Sequence, residues 1–292
     1  HQALGWNPED ARGWYYLGNL LYDRQPERAI EAWERARTLQ PSFALVHRNL
    51  GLAYAQTRRD PAAAVESLEQ AVALNPAEPR FHYELDLQYE AAGAALAKRL
   101  AVLTQHHDVV AQRDDALTRE IRLLIAAGET DRALSLLQTH RFHNWEGSSE
   151  IHDVYVDARL RRGRDLARAG QLRQALDEYT AALEYPDNLE VGRPHRDRRA
   201  PLVHCFQARA HAALGETEQA RTLLEQVVAR LDRSASETAY WQARALQQLG
   251  RNDEAQQLFS QLAAQGEARQ TAGETADYFA KFGVTPAAFA AA

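Results

Sequence analysis

The chain has 292 residues, 45% apolar and 25% charged, with a formal net charge of −6. That balance is ordinary for a globular protein, and the acidic surplus argues against nucleic acid as partner, because phosphate binding needs a net basic face. A single cysteine, Cys205, excludes an internal disulfide framework, and no stretch approaches the ~18 consecutive apolar residues of a membrane span, so no membrane contact is expected.

Residues 1–10 (HQALGWNPED) form a lead-in, with a turn at Asn7-Pro8, Asp10 as a helix cap and Trp6 either covering the first helices or contacting what precedes residue 1. Residues 11–76 read as two regular pairs of amphipathic helices. The first carries Trp14, Leu17, Gly18, Leu21, Ala29, Trp33, Ala36 and Pro41. The second, one residue longer in its turn, carries Leu50, Gly51, Tyr54, Ala64, Leu68, Ala71 and Pro76. Small residues at Gly51, Ala64 and Ala71 let two helices approach, and Tyr54 and Leu68 fill the space around them. Residues 77–110 are a degenerate third pair. Its second helix puts Leu96, Leu100 and Leu103 on one face but places Lys98 and Gln105 where small residues are wanted. A fourth pair spans 111–140.

The run 141–150 (RFHNWEGSSE) is the least helical stretch and reads as a junction. It divides the chain into an N-terminal block, 1–140, and a C-terminal block, 151–292. Strong pairs resume at 151–186, 201–232 and 236–265. Between them lies DNLEVGRPHRDRRA, residues 187–200. A last helix over 266–282, with Tyr278, Phe279 and Phe282 facing inward, would cap the array. The chain opens at His1 and contains no methionine, which reads as a piece excised from a longer protein. A cytoplasmic location is favoured.

The turn glycines Gly93, Gly128, Gly170, Gly215 and Gly250 recur at intervals of 35, 42, 45 and 35 residues. A helix pair of this size cannot bury its apolar face alone and must stack on its neighbours. The marks and spacing resemble the tetratricopeptide repeat (TPR) family, whose period is about 34 residues. The resemblance implies an all-α, TPR-type α-solenoid of about seven antiparallel pairs with a C-terminal capping helix. Two longer motifs, GWNPEDARGWYYLGN and RFHNWEG, resemble the C-terminal repeat region of large bacterial proteins of the DUF5107 type. That resemblance implies a link to carbohydrate metabolism through a β-sandwich domain on the N-terminal side.

In a TPR array the first helix of each pair lines a concave face. Here that face would carry Arg12, Tyr15, Asn19 and Tyr22, then Arg48 and Asn49, then Arg80 and Tyr83. TPR domains that clamp a C-terminal carboxylate use five polar groups on three repeats. Asn19, Asn49 and Arg80 match three of them, whereas Tyr15 and Glu84 stand at the other two. One lost cation and one reversed charge weaken carboxylate capture, so a general peptide groove is expected instead.

His140, His143 and Glu146, like His106, His107 and Asp108, could suggest a metal, but nothing in the sequence fixes them relative to one another, and loop packing is expected. Phe142 and Trp145 read as a plug between the two blocks. The sharper alternative is an interdomain or sugar contact made by Phe142, His143, Trp145 and Glu146. Arg193, Arg196, Arg198 and Arg199 read as a solvated loop, and Cys205 as a small buried hydrophobe. No catalytic motif, cofactor fingerprint or metal site is found. The expected role is a non-catalytic scaffold binding a protein or peptide, including the protein's own N-terminal domain. The alternative is the accessory region of a carbohydrate-active enzyme.

Overall fold

The computed structural model describes residues 7–143, 150–229, 231, 232, 234 and 236–271, with side chains as far as residue 266. Among these residues the fold is all-α, with fifteen helices and no strand. Twelve of them form six antiparallel pairs: α1 (Ala11–Leu21) with α2 (Pro26–Leu39), α3 (Ala44–Ala53) with α4 (Pro61–Leu74), and α5 (Pro79–Ala91) with α6 (Leu96–Gln105). After the short α7 (His107–Val110) come α8 (Asp114–Ala127) and α9 (Thr130–Thr139), and then α10 (Glu150–Arg168) pairs with α11 (Leu172–Ala181). The last are α12 (Ala200–Ala213) with α13 (Thr217–Val228), and α14 (Glu237–Gln248) with α15 (Asn252–Thr271). The helices thus follow the TPR-type α-solenoid pattern read from the sequence. Of the capping stretch 266–282, the chain is helical through Thr271; Tyr278, Phe279 and Phe282 lie outside the described residues, as does Trp6.

The chain divides into two compact units, residues 1–133 and 134–292. The expected junction at 141–150 lies inside the second, and Trp145 and Glu146 lie outside the described residues.

In the first unit, local chemistry sets the helix ends. The Asp10 carboxylate accepts from the Arg12 N–H and that of Asp60 from the Ala63 N–H. Pro26, Pro61 and Pro79 begin α2, α4 and α5, where the missing N–H costs nothing. The extra residue of the second pair is absorbed as a wide π-helical turn, Tyr54–Arg58, which Arg59 closes in the left-handed region at φ 52°. The core is Ala29, Ile30, Trp33, Ala36, Leu50, Tyr54 and Ala64, all buried. It continues through Leu68, Phe81, Leu85 and Tyr89. In the third pair Leu100 and Leu103 are buried as expected, but Leu96 is 36% exposed. Lys98 stands off the small-residue seam, 4.4 Å over the Tyr89 ring and 3.0 Å from Glu69.

The second unit is built on the same rule of small against large. A Cβ at Gly163 would lie 2.3 Å from Cε1 of the Tyr179 ring, so α10 and α11 touch where no side chain fits. Gly163→Ala is therefore expected to lower stability by about 1–3 kcal/mol through overpacking, although alanine is the better helix former. Urea unfolding measures this; a gain in stability would show that the helices separate freely.

Candidate functional site

One position of the first helix fixes how each of the first three pairs joins what precedes it. Trp14 Nε1 donates to the Pro8 carbonyl at 2.8 Å. His47 Nε2 bonds the Pro41 carbonyl at 2.7 Å, and His82 Nε2 bonds that of Pro76 at 2.8 Å. A carbonyl only accepts, so Nε2 of both histidines carries the proton. His82 is fully buried, its Nδ1 has no partner, and its ring lies 4.7 Å from that of His106. Burial pushes His82 below the ordinary histidine value, and the neighbouring His106 adds to this.

The sign of the pH effect follows. An unfolded histidine takes up its proton near pH 6.5, while folded His82 resists it. Its contribution to stability is complete above that pH and is lost as pH falls from about 6.5 toward the lower folded value. The Tm is expected to fall between about pH 7 and 5, with a shallower slope in His82→Gln. His204, also held low by burial, keeps part of the slope. Equal slopes would remove His82 from the account.

The candidate binding residues of the first unit fall on α1, α3 and α5, except Tyr22, which caps the C-terminal end of α1. They are largely engaged with one another. Asn19 Oδ1 accepts from Trp33 Nε1 at 3.1 Å and from Asn49 Nδ2 at 2.9 Å. Arg48 NH1 donates to Asn49 Oδ1 at 3.1 Å, and Arg48 Nε donates to Glu84 at 2.7 Å. Arg80 Nε reaches the same carboxylate at 2.9 Å. Glu84 is buried and consumes both cations. Arg80, the cation that matches a clamp position, is thus already paired with a carboxylate of its own helix. Tyr15 packs 5.0 Å from the Phe43 ring, and Tyr22 donates to Gln56 at 2.7 Å. Arg12 is exposed, and Tyr83 is half-buried with the Arg113 guanidinium 5.8 Å above its ring.

Sequence reasoning missed a second charged network. Asp86 occupies the position held by Gly18 and Gly51 in the pairs before it and is 1% exposed. Arg99 grips it with two bonds, of 2.8 and 3.0 Å, and Arg119 donates to it through Nε. Both arginines also reach Glu90, at 3.1 and 2.7 Å. Burial works to raise the Glu90 carboxyl, but Arg119 and Arg99 hold it below its ordinary value. A charge at a position that elsewhere must be small was the signal for this network.

In the second unit, Phe142 is buried, its N–H donating to the Asn188 carbonyl at 2.8 Å. The Asn188 amide returns bonds to the carbonyls of Leu137 and His140 at 2.8 and 2.7 Å. His140 packs edge-on to Phe142, at 4.7 Å. The solvated-loop reading of the arginine run is corrected at Arg199. Its side chain is only 11% exposed, it pairs with Glu237 at 3.0 Å and it also reaches Asp157. The cause is a need for charge: burial raises the Glu237 carboxyl, and Arg199 is the counterion. Arg198 pairs with Asp153, and Arg193 donates to the Leu183 carbonyl at 2.8 Å. Cys205 is buried, and burial pushes its thiol up to about 12, the behaviour of an inert hydrophobe.

Among the described residues no cluster of three or more His, Cys, Asp or Glu is arranged to hold a metal, and no helix is long and apolar enough to cross a membrane. His106 and His107 go separate ways, the latter to buried Glu120 at 2.9 Å.

Tetratricopeptide-repeat family models match residues 19–79, 201–226 and 236–261, so the chain carries TPR repeats near both ends. A tetratricopeptide repeat protein from Parabacteroides merdae ATCC 43184 is 13% identical, covers 92% of this chain and 98% of its own, and superposes with a TM-score of 0.53. That similarity shows the fold. YrrB, described as a TPR protein with an unusual peptide-binding site, is 20% identical over 62% of this chain and 89% of its own, with a TM-score of 0.47.

Proposed function

We propose that the chain is a non-catalytic interaction scaffold whose first-helix faces bind an extended peptide or a helix. The occupant comes from another protein or from a further domain of the same one, of the kind that DUF5107-type proteins carry on the N-terminal side. The observation that carries this reading is the division of labour on α1, α3 and α5. Asn19, Asn49, Arg48, Glu84 and Arg80 bond to one another and stiffen the face. Tyr15 and Tyr83 stay half-buried beside them, with Tyr16 62% and Leu45 44% exposed. Rigid, partly exposed aromatic groups on a fixed frame are what anchors a partner at low entropic cost.

Display selection of peptides against the full chain tests the reading. Binders that weaken on Tyr15→Ala or Tyr83→Ala, with the Tm retained, support it. Binders indifferent to every first-helix substitution would refute it.

A further inference from the structure

In the second unit each small residue that seats a first helix on its partner is followed by an arginine: Gly163-Arg164, Ala208-Arg209 and Ala243-Arg244. The three therefore occupy one register on α10, α12 and α14. In the first unit that register carries Asn19, Leu52 and Leu87. Arg164, Arg209 and Arg244 form no ion pair among the described residues, and Arg164 and Arg209 are exposed. The other arginines of α10 behave differently. Arg159 and Arg162 share Glu178 at 2.8 and 3.3 Å, and Arg161 and Arg168 share Asp165 at 3.0 and 3.1 Å. In an acidic chain, three aligned cations are left without carboxylates.

Two of them also share a floor. The guanidinium groups of Arg164 and Arg209 both lie 5.9 Å from the Phe206 ring. Phe206 in turn lies 5.6 Å from Trp241, and both rings are half-buried. Arg244, in the same register on α14, donates through NH1 to Gln247 at 3.3 Å.

We infer that this face binds an acidic peptide segment of a partner protein. Its carboxylates pair with Arg164, Arg209 and Arg244, and an apolar or aromatic side chain between them lies on Phe206 and Trp241. Alternate side chains of an extended peptide point the same way about 7 Å apart, which suits two cations gathered around one ring. Arginine offers a planar fork to a carboxylate and a flat face to an aromatic ring, and both are used here. A long polyanion is disfavoured, because the chain as a whole repels it at −6. This inference rests on the reading of the first-helix faces as a peptide groove and names its ligand class in the second unit.

The test uses the full chain and two fluorescent peptides, one with glutamate at every second position around a tyrosine, the other with glutamine in place of glutamate. The glutamate peptide is expected to bind, the glutamine peptide about tenfold or more weakly, and added salt to narrow the gap. Arg164→Glu, Arg209→Glu and Arg244→Glu each remove binding of the glutamate peptide with the Tm retained. Equal binding of the two peptides, or binding indifferent to the arginine variants, overturns the inference. If the glutamine peptide binds and only Tyr15→Ala weakens it, the groove reading stands and the acidic partner falls. If neither peptide binds, the acidic partner falls, and the display selection decides the groove reading separately. Tighter binding of oligouridylate, lost in the same variants, would replace the peptide with a nucleic acid and overturn the inference.

Discussion

Asp86→Ala is expected to destabilise the first unit by about 3–5 kcal/mol, the usual cost of removing one partner from a buried ionic group. The cost arises from what remains. Arg99 and Arg119 have side chains only 12% and 15% exposed, and both would lose their main counterion. Glu90, 56% exposed, replaces little of it. Asp86→Asn keeps the shape and some hydrogen bonds but not the charge, and should fall between wild type and alanine. Differential scanning calorimetry gives the ordering, and hydrogen exchange should localise the loss to α5, α6 and α8, the helices that carry Asp86, Arg99 and Arg119. An alanine variant as stable as wild type would mean that the network contributes nothing net.

Phe142→Ala is expected to cost about 3–5 kcal/mol in the second unit, the range for truncating a buried phenylalanine. The ring is 2% exposed, and its backbone is tied to the 3₁₀ turn Asp187–Leu189 through Asn188. A loss there should carry to the end of α9, whose Leu137 carbonyl accepts from the Asn188 amide. Phe142→Leu, which keeps most of the volume, should cost less than about 1.5 kcal/mol. Urea midpoints of the two variants separate packing from any role in ligand contact. A fully stable alanine variant would contradict the packing role.

Much of the fold was legible because it repeats. Gly18, Gly51 and Gly163 mark where helices touch, and Trp33, Leu68 and Tyr179 are the large residues that meet them. The linkage of successive pairs is also written in the chain, as a proline followed six residues later by a ring N–H donor: Pro8 and Trp14, Pro41 and His47, Pro76 and His82. It escapes notice because tryptophan and histidine look unalike, although each offers one N–H in a flat ring. The electrostatics were less legible. Glu84 can be placed on the inner face by register, and its i,i+4 spacing from Arg80 is visible, but that it would also bind Arg48 depends on the distance between α3 and α5. Arg199 reads as a loop charge because its partners Asp157 and Glu237 lie 42 and 38 residues away. The unpaired arginines are the converse case. Their register is visible, and their lack of carboxylates emerges only when every neighbour's pairing is known.

Hydrogen exchange of the full chain, with and without a saturating concentration of the glutamate peptide, tests most directly the claim that the first-helix faces are the interaction surface. Added protection is predicted on α10, α12 and α14, around Arg164, Arg209 and Arg244. Protection confined to α11, α13 and α15, or none while the peptide is bound, would contradict it.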